Sequence, residues 1–186
     1  MDAVRYAAAC CAIDGANAED PEGQALRYSE RMVDWAGRLA PQASEELLLA
    51  VRAQHIRRWT VPRSTFPDGR TGYLQWREKL KKFHADTLGA IMKDAGCTDA
   101  SIAKARQLIL RKNFAPDPEG QVLEDAACLV FLQHEFPDFS RKTPPDKVVD
   151  ILRKTWEKMS ARARELAVAL PYAAPEQDLL RRALGR

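Results

Sequence analysis

Apolar positions along the chain recur at steps of three and four, and no stretch alternates with a period of two, so the pattern predicts helices throughout. Residues 2–14 form an alanine-rich first helix that ends in the turn-forming run "IDGANAEDPEG". A second helix is expected over about Gln24–Leu39, stopping before Pro41. Ser44 caps a third, with Glu45 and Glu46 in its first turn, where carboxylates suit the helix dipole. That helix carries Leu47, Leu48, Val51 and His55. The proline- and glycine-bearing "TVPRSTFPDGRTG" reads as a long loop, of the length often kept for function.

A fourth helix follows over about Tyr73–Ala95, with the stripe Tyr73, Trp76, Leu80, Phe83, Thr87 and Ile91, and Gly96 as its stop. A fifth covers about Asp99–Lys112. Asp117 and Pro118 open a sixth, "PEGQVLEDAACLVFLQHEF", apolar on nearly all sides from Val122 to Leu132 and therefore expected in the middle of the fold. Thr143 and Asp146 form a capping-box-like pair at the start of a seventh, which runs to about Met159. An eighth spans about Ala161–Leu170, and a short last helix follows Pro175. Neither repeats nor a linker interrupt this pattern, so one all-α domain of about eight helices is expected over residues 1–186.

Composition changes this picture little. Of 186 residues, 46% are hydrophobic and 30% charged, as in ordinary globular domains, and the length is enough for a core without covalent staples. The net charge of +3 comes from 29 basic and 26 acidic residues, too small a total to point to nucleic acid or a membrane as partner; local clustering of the basic residues matters more. The four cysteines form no CxxC pair and are read as reduced, buried small residues. The start of the chain lacks the basic region of a signal peptide and is too polar to span a membrane, so the cytoplasm is expected.

The candidate chemistry lies on three of these helices. His55 shares a face with Leu48 and Val51, and His84 lies between Leu80 and Leu88, so two imidazoles point inward. Glu124 and Asp125 sit within the apolar sixth helix, where a carboxylate needs a cation or a metal; Arg57, Arg58 or Lys82 could pair with them in a purely structural network. His134 is read as a surface residue. Inward imidazoles with an inward carboxylate are ligand types for a divalent transition metal, with Mn, Fe, Co and Zn equally compatible. Arg57, Arg58, Arg63 and Lys82 follow or flank the histidines, and guanidinium groups bind phosphate in a fork. Together these imply a phosphorylated small molecule as ligand. Trp59, Tyr73, Trp76 and Trp156 are read as core. No glycine-rich phosphate loop, GxSxG or zinc-finger spacing occurs.

The segments "IDGANAEDP", "YSERM", "AQHIRRWTVPRS", "GYLQWREKLKKFHA", "LEDAACLVFL" and "RKTWEKMS" together resemble the uncharacterised domain-of-unknown-function family numbered 4202, from about Ala8 to Leu170. That family implies no activity. The order of elements is more distantly similar to the HD superfamily of metal-dependent phosphohydrolases. This likeness implies an HD-like fold with His55 at the histidine of the His-Asp pair, His84 at an additional histidine and Asp125 near the later aspartate. Ile56 stands where the paired aspartate would be. The superfamily's first histidine falls near Tyr28-Ser29-Glu30, where only Glu30 could substitute as a ligand, and Ala127 matches the aspartate position as well as Asp125 does. The implied activity is metal-dependent hydrolysis of a phosphorylated small molecule or nucleotide. His55, His84, Asp125 and Glu30 would hold the metal, Arg57, Arg58, Arg63 and Lys82 the phosphate, and Glu124 or Asp125 would orient water. The alternatives are a non-catalytic anion- or nucleotide-binding module on a degenerate HD-like fold, and a non-haem iron oxygenase.

Overall fold

The computed structural model describes residues 2–110 and 117–185. Among these there are ten α-helices and no strand, so the protein is all-α. By its internal contacts the chain groups into two units, residues 1–120 and 121–186.

In the first unit, α1 (Ala3–Ala18) is capped by Asp2, whose side chain accepts the Val4 amide proton at 2.9 Å. The sequence pattern ends this helix at Asp14, but it continues through Gly15 and Asn17. Ile13, Ala16 and Asn17 are buried, Asp14 is bound by Arg52, and Asn17 Nδ2 donates to the Arg52 carbonyl at 3.2 Å. These contacts outweigh the weak helix propensity of glycine and asparagine. Asp20 then accepts from the Glu22 and Ala25 amides and so starts α2 (Gln24–Leu39), which buries Ala25, Ser29, Met32, Trp35 and Ala36 along one side. α3 (Glu45–Arg52) is capped by Ser44 as expected. It stops at Arg52, short of His55. Residues 53–57 are turns, and Arg57 adopts a left-handed backbone with φ of 48°.

Two short 3-10 turns, Arg58–Thr60 and Arg63–Thr65, make the following loop ordered. It is stapled by Trp76 Nε1, which donates to the Val61 carbonyl at 2.8 Å. Arg63 closes its end by donating to the carbonyls of Phe66 and Pro67. α4 (Gly69–Asp94) begins four residues earlier than expected. Gly72 makes this possible, because a Cβ there would overlap the Pro67 carbonyl. Its buried side is Trp76, Leu80, His84, Leu88 and Met92, with Gly72, Ala85 and Gly89. The expected stripe is therefore rotated, and Tyr73 is 44% exposed rather than in the core. Gly96, at φ of 77°, ends the helix with the Cys97 amide bonded to Met92 and its own amide to Lys93. α5 (Asp99–Leu110) packs along α4; the expected end at Lys112 lies outside the described residues.

α6 (Pro118–Val130) begins in the first unit and belongs mostly to the second. The helix expected to end at Phe136 instead runs on through a π-turn at Phe131–Glu135 into α7 (Phe136–Lys142). The π-turn hands the Phe136 amide to Phe131, and this widening lets Pro137 enter the helix without clashing with the preceding turn. α8 (Pro145–Lys158) starts without a side-chain cap, so the Thr143–Asp146 capping box does not form. α9 (Ala161–Val168) is capped by Ser160, and α10 (Ala174–Leu184) packs on α8. The buried residues of this unit include Leu123, Leu129, Leu132, Phe136, Val148 and Leu152, as the apolar sixth segment implied. Of the cysteines only Cys128 is buried; Cys11 is exposed, and Cys10 and Cys97 are half-buried. No helix among the described residues is long and apolar enough to cross a membrane.

Candidate functional site

The early end of α3 decides the surroundings of His55. The ring lies in a turn and stacks on Tyr28 of α2, with centroids 3.6 Å apart and planes 15° from parallel. Its Nε2 is 3.3 Å from Arg58 Nη1. A guanidinium only donates, so this nitrogen carries the lone pair and the proton sits on Nδ1. Arg58 in turn lies over the Trp76 ring, with Cζ 4.6 Å from its centroid. Tyr28, His55, Arg58 and Trp76 thus form one layered stack drawn from α2, the turn, the 3-10 segment and α4.

His84 completes the group. Its centroid is 6.4 Å from that of His55. It is 4% exposed, and its Nε2 has no hydrogen-bond partner. The structural alternative, a core histidine satisfied by backbone, therefore does not account for this nitrogen. Burial and then the Arg58 charge push the His84 pKa down to about 3. Burial first, then Arg58, then His84 hold His55 well below its usual value. Both rings are neutral at pH 7.

The other sequence candidates divide. Arg57 reaches Glu19 at 3.1 Å, and Arg63 spends its donors on the loop carbonyls. Lys82 and Glu30 are exposed, and it is Tyr28, two residues before Glu30, that meets His55. Glu124 and Asp125 have partners inside the second unit. Lys158 is 3.6 Å from Glu124. The buried Asp125 Oδ1 accepts from Gln121 Nε2 and from the Ser160 amide, both at 2.9 Å. A structural network of these carboxylates with Arg57, Arg58 or Lys82 was the expected alternative; the partners are instead Lys158, Gln121 and Ser160. His134, expected at the surface, is half-buried in the π-turn.

A divalent transition metal takes three or more protein ligands. Among the described residues no three His, Cys, Asp or Glu side chains are grouped to hold one. His55 Nε2 already receives a cationic donor, whereas His84 Nε2 has no partner.

An all-α protein with a histidine–arginine–aromatic cluster on its first unit is the class these observations define. Within that class, the chain belongs to the family described as Domain of unknown function (DUF4202), whose model matches residues 7–180. Comparison with curated proteins and with solved structures finds no match.

Proposed function

We propose that the Tyr28–His55–Arg58–Trp76 stack, with His84 beside it, binds a phosphorylated small molecule and does not transform it. The observation that carries this reading is the fixed Arg58 fork, clamped between the Trp76 face and His55 Nε2. A guanidinium held in one orientation loses little entropy when it takes a phosphate in two parallel bonds. The neighbouring imidazoles are neutral, so Arg58 supplies the positive charge of the cluster. His84 Nε2 offers a nearby polar contact to the remainder of the ligand.

The second reading, a metal-dependent hydrolase using Mn, Fe, Co or Zn, is favoured by one observation. The open nitrogen of His84 is neutral, the form that ligates metals. It would require Arg58 to leave His55. Calorimetric titration with a panel of phosphate monoesters, with and without each metal, separates the two. Saturable binding without turnover, lost in Arg58→Ala, supports the binding module. Turnover of any ester on adding metal, abolished in His84→Ala, replaces it with the hydrolase.

A further inference from the structure

The basic residues of this chain are not spread evenly. Residues 57–82 hold eight arginines and lysines against two acidic residues, an excess of six positive charges in a chain whose total is +3. The remainder is therefore net acidic. This segment includes a weakly embedded helix surface. Between Gly69 and Leu80 only Gly72, Trp76 and Leu80 are buried, a seam one residue wide. On the opposite side Arg70, Leu74, Arg77 and Lys81 follow one another at steps of four, three and four, which places them in one row about 17 Å long. Tyr73 borders this row at 44% exposure, and Leu74 within it is 53% exposed.

Two neighbouring rings lie between two guanidinium groups along the edge of this face. Arg58 lies 4.6 Å from the Trp76 centroid, Trp76 is 6.0 Å from Tyr73, and Arg77 lies 5.8 Å from Tyr73. Trp76 is the buried foundation of this ladder and Tyr73 its exposed ring. We propose that this face of α4 binds single-stranded nucleic acid. Arg70 and Arg77 contact phosphates, and the Tyr73 ring stacks under a base. Cationic rows that track a backbone, interleaved with an accessible aromatic face, are what single strands require. An acidic peptide would use the cations and leave the ring without a role. A lipid surface would need a broad apolar face, and here Leu74 stands alone in the row.

Anisotropy of a labelled oligothymidylate of about 20 nucleotides tests this on the full chain. Binding is expected at about 50 mM salt and falls about sevenfold by about 200 mM, as two phosphate contacts on a single strand dictate. Arg70→Ala with Arg77→Ala flattens the salt slope by about 1.4. Tyr73→Ala weakens binding about tenfold at every salt without altering that slope, and Tyr73→Phe restores it. All three positions are exposed and lie outside the imidazole pair, so the loss of phosphate-ester binding at Arg58 does not affect this result. Absence of binding at about 50 mM salt, an unchanged slope in the double variant, tighter binding of duplex than of single strand, or equal competition by polyglutamate overturns the proposal.

Discussion

His84 makes the protein acid-sensitive by an amount that follows from its surroundings. In the folded chain its pKa lies near 3, because the ring is buried and faces Arg58; in the unfolded chain it returns to about 6.5. Below pH 6.5 the unfolded state therefore takes up a proton that the folded state refuses, and stability falls as the pH drops from 7 towards 3. From these two values the loss is about 2 kcal/mol between pH 7 and pH 5, and about 3 kcal/mol by pH 4. His55 is depressed in the same direction and adds to it. In His84→Leu the titrating group is gone, and the replacement is apolar in a site lined by Leu80 and Leu88. The change also removes a buried nitrogen with no partner, so stability at pH 7 is expected to hold or rise. Urea unfolding followed by tryptophan fluorescence at pH 7 and pH 5 measures both quantities. The variant should lose about 2 kcal/mol less than the parent over that interval. An identical pH dependence in parent and variant would show that His84 is not held neutral by the fold. A loss at pH 7 of more than about 2 kcal/mol would show that its Nε2 has a partner after all.

Three further substitutions probe the frame around the site. Gly72→Ala drives a methyl into the Pro67 carbonyl. It should lower stability by about 2 kcal/mol or more in urea unfolding and loosen the Trp76–Val61 staple, visible as a red shift of tryptophan emission. Asp125→Ala leaves the Ser160 amide and the Gln121 side chain without their shared acceptor. A loss of about 1–3 kcal/mol is expected in thermal unfolding, whereas a neutral result would show that these two bonds do not hold Asp125 for stability. Gly15→Ala has open space around the new methyl and a helical backbone, and should stabilise by about 0.5–1 kcal/mol, read as a raised melting temperature.

Where the sequence reading of the fold succeeded, local signals and tertiary packing agreed. Ser44 as a cap, Pro41 as a stop, Gly96 as a C-terminal cap and the apolar sixth segment all act as their chemistry implies. It failed where long-range contacts overrule a local signal. Gly15 and Asn17 look like the end of a helix, yet Arg52 and the buried Ile13 and Ala16 carry α1 past them. Pro137 looks like a stop, yet a π-turn absorbs it. The α4 stripe came out rotated because packing buries His84, Leu88 and Met92 in place of Phe83, Thr87 and Ile91, and the early start of the helix depends on Gly72, whose role shows only once Pro67 is seen against it.

The site was partly legible for the same reason. His55, Arg58 and His84 stood out as rare or clustered residue types, and they do come together. Tyr28 and Trp76 did not stand out, because a ring at a helical spacing reads as core. The end of α3 left no signature at all. Neither glycine nor proline marks it, and Arg57 occupies a left-handed backbone where glycine would normally stand. The turn is held instead by bonds to its own carbonyls, from Asn17 to Arg52 and from Thr60 to Arg57. If that turn is what aims Arg58 at Trp76 and His55, its backbone and not the Arg57 charge should matter. Arg57→Gly relieves about 1 kcal/mol of backbone strain and loses a surface ion pair worth at most about that much. Stability and phosphate-ester affinity should therefore stay close to the parent. Arg57→Val places a β-branched residue at the same φ, which costs about 1–3 kcal/mol, and should weaken both. Equal affinity in the glycine and valine variants would show that Arg58 is positioned by its stack on Trp76 alone.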